Sequence, residues 1–263
     1  MQLEQPSSSI FTETTKTSSL ASSSRKRKAE GEYPRGPEQP HQYAAPVAPR
    51  RLSHPEGKLM TFGTNSFAQL GLGRRYPERK KPTPVRAINS VVVQVACGSQ
   101  HTAAVDARGR VWTCGSNDEG ALGRRTSRNT EDSEDEYIPQ IVTGLPSNIK
   151  MLTCGDSHTI VLLDTGEVWG WGIFRDASNN NPGMGFIKAG RKAKEDAPVK
   201  IPGFGQKQVT AISSGSDHCL ALTTDGCVFQ WGDSCTCTHG NDQKNVEEKL
   251  VPQEVQLERR AVS

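Results

Sequence analysis

At 263 residues, 33% of them hydrophobic and 23% charged, the chain is long enough to bury a substantial core. It has no run near the roughly 18 apolar residues that span a bilayer, and no basic segment followed by an apolar one at its start, so neither a membrane span nor a secretory leader is expected. The net charge of +3 belongs to residues 1–58, which hold nine Lys/Arg against six Asp/Glu; the other 205 residues balance at 23 of each sign. Seven Cys, an odd count without a leader, fit a reducing compartment better than a disulfide framework, which points to the nucleus or the cytosol.

Residues 1–57 read as a disordered basic tail. Half of the first 24 are Ser or Thr, Pro recurs through 34–49, and no helical or strand period appears, so little surface can be buried to offset chain entropy. Inside it stands one tetrabasic run, Arg25, Lys26, Arg27 and Lys28. Such a run suits the acidic pockets of a nuclear import carrier; DNA phosphates could use the same residues, and a plain solvated cluster is the third reading.

From residue 58 onward a repeat governs the chain. Leu59–Phe62 leads into Gly63 and Gln69-Leu-Gly71, then Val91–Ala96, and then a cassette Gly98-Ser-Gln-His101 … Gly109 … Gly115. The cassette recurs as Gly155 … His158 … Gly166 … Gly172 and as Gly215 … His218 … Gly226 … Gly232, with starts 57 and 60 residues apart. Short β-branched runs divided by Gly and Asp-x-Gly turns are strands in hairpins. About four strands per unit, repeated, predict an all-β fold, a β-propeller, over 58–263. Three units and part of a fourth make part of a ring.

His101, His158 and His218 are expected to be buried, each satisfying backbone groups of its own turn, because equivalent positions in separate sheets lie too far apart for one metal ion. Trp112, Trp169, Trp171 and Trp231 follow strand spacing and are expected in the core. Cys235-Thr-Cys237-Thr-His239 lacks a second ligand pair at finger spacing, so no metal and no cofactor is expected. No hydrolase or phosphate-loop pattern occurs, so covalent chemistry has no support. The acidic run 131–136 reads as a solvated loop, with a histone-binding patch as the other reading.

Phe62-Gly-x4-Gln-Leu-Gly71 and Gly115-Ser-Asn-Asp-Glu-Gly-Ala-Leu-Gly123, each followed by Gly-x-x-His and Gly-x-Val, resemble regulator of chromosome condensation repeats over about residues 58–232. Glu78–Pro82, Asn117–Arg124 and Trp171–Asp176 resemble the members of that family that are chromatin-bound guanine-nucleotide exchange factors for the small GTPase Ran. The resemblance implies a seven-bladed propeller, partners in Ran, histones, DNA and an import carrier, and roles in nucleocytoplasmic transport, mitosis and the cell cycle. It also implies that Phe174–Phe186, where the third unit loses its Gln-Leu-Gly turn, matches a projecting β-wedge that acts on the GTPase. Phe174, Arg175, Asp176, Asn179, Asn180 and Asn181 would then be GTPase contacts, joined by Asp156 and Asp217, which could alternatively only cap their own turns. With about half a ring, poor exchange activity and an aggregation-prone open edge are expected. The other expectation is a non-catalytic interaction module of the same repeat family.

Overall fold

The computed structural model describes residues 57–127, 133–176, 181–187, 194–233 and 249–256. Strand β1 (Met60–Thr64) pairs antiparallel with β2 (Glu78–Pro84) as a sheet of two. Next come β3 (Val92–Cys97), β4 (His101–Asp106), β5 (Val111–Gly115) and β6 (Gln140–Ile141), a four-stranded antiparallel sheet in chain order. The following sheet holds β7 (Ile149–Cys154), β8 (His158–Leu163) and β9 (Val168–Gly172). Between β9 and its last strand, β10 (Phe174–Asp176) and β11 (Asn181–Gly185) form a ladder of their own, and β12 (Glu195–Lys200) then closes the sheet on β9. The third sheet is β13 (Val209–Ser214), β14 (His218–Thr223), β15 (Val228–Gly232) and β16 (Gln253–Val255). These are three propeller blades and a two-stranded partial one, as the repeat predicts.

The phase of the repeat is different from that read in the sequence. A unit counted from residue 58 straddles two sheets, because β1 and β2 bond to each other and each full blade opens on its Val or Ile run at β3, β7 or β13. The reason is local. The cassette holds two tight turns, so the strands on either side of them pair at once, and the long polar connection falls outside, before the edge strand.

The first hairpin shows how such a turn is held. Asp106 Oδ1 accepts the amides of Arg108 and Arg110, both at 3.0 Å, while Oδ2 accepts Ser90 Oγ at 2.8 Å and Trp112 Nε1 at 2.9 Å. Burial alone would raise this carboxyl, but the bonds from Arg110, Trp112 and Ser90 outweigh it and hold it well below the usual carboxylate range.

Blades meet through side chains, which corrects the expectation for the histidines. His101 Nε2 lies 2.9 Å from Thr159 Oγ1 of the next blade, and His158 Nε2 lies 3.2 Å from Cys219 Sγ of the one after. Neither ring is satisfied by its own turn, and His218 is exposed rather than buried. Thr159 Oγ1 and Trp171 Nε1 both donate to the Ala121 carbonyl of the preceding blade, at 3.0 and 2.8 Å. Trp112, Trp171 and Trp231 are buried as expected, whereas Trp169 is half-buried.

Gly123 sits under the Trp171 ring at φ +64°, where a Cβ would lie 2.6–2.7 Å from three ring atoms. A side chain there meets both left-handed strain and a buried ring that cannot yield. Gly123→Ala is therefore expected to lower stability by about 2–4 kcal/mol, read as an earlier urea midpoint with Trp fluorescence.

Candidate functional site

The Gly-x-x-His turns of the blades gather at one end of their sheets, and the interruption of the repeat comes out beside them. Arg175, on β10, is the centre of this end face. Its guanidinium pairs with the Glu119 carboxylate of the preceding blade, Nε to Oε2 at 3.0 Å and Nη2 to Oε1, and its backbone N–H donates to Asp217 Oδ1 of the following blade at 2.9 Å. Half of the Arg175 side chain and about a quarter of Glu119 (50% and 26%) remain exposed, so the pair itself contributes only about 0.5–1 kcal/mol. Its consequence is geometric: a residue of the excursion is tied to the blades on either side.

Asp156 is exposed, and its N–H donates to the Ser216 carbonyl at 2.8 Å, which binds the second and third turns together. Asp217 is half-buried. Burial raises its pKa, the Arg175 N–H opposes that, and the charges of Asp156 and Asp233 add to the rise. Arg175 is held more firmly charged, first by the Glu119 hydrogen bond and then by the fields of Asp217 and Asp156. Gln100, Ser116, Glu119, Asp156, Ser157 and Arg175 line a shallow, open depression at this face. It is a polar, largely acidic surface with one fixed cation, suited to meeting a protein and lacking the enclosure of a small-molecule site.

Of the residues expected from sequence, the structure thus brings Arg175, Asp156 and Asp217 together. Phe174 is different. Its ring is 0% exposed, stacked on Phe186 with centroids 5.2 Å apart and lying 4.5 Å from the His158 ring. Phe174 cannot touch a partner: the expectation of a contact is corrected to that of an anchor, because an aromatic ring at the foot of the excursion gains more from the blade core than from solvent. Asp176 and Asn181 face each other as the register pair that closes the β10–β11 ladder. Asn179, Asn180 and the tetrabasic Arg25–Lys28 lie outside the described residues, as do Cys235, Cys237 and His239. Glu131 of the acidic run lies outside them too, while Glu134 and Ser133 bind Arg74 (Oε2 to the Arg74 N–H at 3.1 Å; the Ser133 carbonyl to Nη2 at 2.8 Å).

Glu119 is the residue that sequence reasoning missed. It stands in Gly115–Gly123 where the matching turn of the first unit has Phe67, so a charge replaces an aromatic within the repeat. That break was the available signal.

With this geometry in view, the RCC1-like domain family matches residues 58–263. The human protein "Regulator of chromosome condensation" is 39% identical over 186 residues, covering 71% of this chain and 41% of that one. Among solved structures, Prp20p from Saccharomyces cerevisiae, described together with its binding to Gsp1p and histones, superposes with a TM-score of 0.65 at 29% identity, covering 75% of this chain and 46% of that one. Yeast RCC1 (Prp20) bound to Kap60 gives 0.65 at 26% identity over 86% and 53%. The chain spans about half the length of the relatives it matches.

Proposed function

The chain belongs to the RCC1-like domain family, and from that premise we propose that it acts on the small GTPase Ran at chromatin, promoting release of bound guanine nucleotide. The observation that carries this reading is the clamp on Arg175, which holds the foot of the β10–β11 excursion between Glu119 and Asp217 beside the exposed Asp156. A nucleotide is kept in a GTPase by backbone N–H groups, a lysine and a magnesium ion gathered on its phosphates. Once the phosphates leave, those donors are uncompensated, and a surface carrying carboxylates complements the empty state better than the loaded one. Asp156 and Asp217 are the groups for that role, with the excursion as the element that enters. No bond is made or broken, so the chain needs no nucleophile and no cofactor. Release is a coupling effect: whatever lowers nucleotide affinity must bind the nucleotide-free GTPase correspondingly more tightly.

The binding of Prp20p to Gsp1p and histones supports Ran and chromatin as partners. The Kap60 complex of yeast RCC1 supports an import carrier as the reader of Arg25–Lys28, and with it a nuclear, chromosome-associated protein.

The test compares binding of the chain to nucleotide-free and to GDP-loaded Ran, which reads the coupling even where turnover is slow. Preference for the nucleotide-free form, weakened about tenfold (about 1.4 kcal/mol) by Asp217→Ala and by Asp156→Ala, is the expected result. Equal affinity for both forms would leave a non-catalytic interaction module.

A further inference from the structure

The turn between β14 and β15 holds a pair of nucleophiles that the end face does not use. Gly226 closes this turn at φ +79°, and Cys227 follows it with 6% of its surface exposed. Lys207, in the turn ahead of β13, reaches across so that Nζ lies 3.0 Å from Cys227 Sγ and 2.6 Å from Asp225 Oδ2. A second carboxylate, Glu254 on β16, stands 3.8 Å from the same nitrogen, and Cys227 Sγ is 3.5 Å from Asp225 Oδ2. The backbone around the sulfur is fixed, since the Cys227 N–H donates to Thr223 Oγ1 at 3.1 Å, that hydroxyl gives its one hydrogen to Asp225 Oδ1, and the Cys227 carbonyl accepts the Thr223 N–H at 3.0 Å. An ion pair with Asp225 accounts for the lysine's presence, but it does not require a thiol in direct contact with the ammonium.

We propose that Lys207 and Cys227 are a modification site, at which dioxygen joins Nζ to Sγ through a single oxygen atom. The atoms balance simply. The Lys207 ammonium loses one proton to solvent base; the amine N–H and the thiol S–H then lose one hydrogen each. One atom of dioxygen becomes the Nζ–O–Sγ bridge and the other leaves as water with those two hydrogens. Nitrogen and sulfur each give up two electrons, and the four reduce dioxygen. A thiol reductant reverses the link. The bridge would tie the turn before β13 to β15 and remove a cation from beside two carboxylates, giving this blade an oxidised and a reduced form. Asp225 and Glu254 favour the charged amine, so the reaction draws on a small neutral fraction and runs faster in alkali.

The experiment is mass analysis of the whole chain held under air and under argon at neutral and alkaline pH. Under air the mass should rise by one oxygen less two hydrogens, most at alkaline pH, with the Lys207 and Cys227 peptides joined and the gain reversed by dithiothreitol. Lys207→Arg, which keeps the ion pair with Asp225, should reduce the joined peptide to background, as should Cys227→Ser. No joined peptide, oxygen on Cys227 alone, a disulfide to another cysteine, or an undiminished gain in Lys207→Arg would each overturn the proposal.

Discussion

Phe174→Ala is expected to lower the unfolding free energy by about 3–5 kcal/mol, while Arg175→Ala, one residue on, changes it by less than about 1 kcal/mol. The contrast follows from where the two side chains go. Phe174 is 0% exposed and lies nearly parallel to Phe186 (6° between ring planes), which is itself 1% exposed. Both belong to the core cluster that also holds Ile160, Val168, Phe229 and Trp231, so removing the ring leaves a cavity bordered by two blades. Arg175 directs its guanidinium to the surface and loses one half-exposed ion pair. Urea denaturation at a fixed protein concentration measures both. Equal small effects would mean that the excursion is not anchored as described. The result also governs how the function is tested: deleting all of 174–186 removes two buried rings along with the surface elements, so lost binding in that variant would report on folding. Changes confined to Arg175, Asp156 and Asp217 do not carry that ambiguity.

Much of the fold was legible because the repeat signals are local. A Gly eight residues after each cassette His adopts positive φ in all three units (Gly109, Gly166, Gly226), so turn, hairpin and sheet follow from residues close in the chain. What was misread depended on neighbours one blade away. The partner of His101 is Thr159, 58 residues on, and that of Arg175 is Glu119, 56 residues back. No spacing within a single unit reveals such a pair. The burial of Phe174 was hidden because its ring companions His158 and Phe186 meet it only after its own blade has formed, and Phe229 and Trp231 of the same core cluster come from the next blade. Asp156 and Asp217 were legible through the family resemblance, Asp217 also because it stands where the first two turns have Gln100 and Ser157, and Glu119 departs from its repeat in the same manner.

Stability should fall steeply as pH drops below about 6.5, through the two histidines between blades. Burial lowers His101 from 6.5 to about 4 and His158 to about 3, with the neighbouring His101 and His218 adding to the second shift. The Thr159 hydroxyl spends its hydrogen on the Ala121 carbonyl, so His101 Nε2 carries the ring hydrogen and Nδ1 is a buried acceptor without a partner. Protonation would create an unpaired, buried N–H cation. The folded pKa values lie below the unfolded one, so the unfolded chain binds more protons: stability is fully present above about pH 6.5 and is lost as the pH falls toward the folded values. Each histidine then removes about 2 kcal/mol at pH 5 and about 3 kcal/mol at pH 4, an amount comparable with the whole stability of many domains. Asp217, whose folded pKa is raised, works in the opposite direction at acid pH, and Asp106, held low, adds to the loss only as the pH drops below the ordinary carboxylate range. Denaturant titrations at pH 7, 6 and 5 should therefore show a slope that steepens to nearly two protons per molecule by pH 5, reduced to about one in His101→Gln. A flat profile from pH 7 to 5 would mean that the histidines between blades titrate freely, and that the contacts from His101 to Thr159 and from His158 to Cys219 do not hold the blades together.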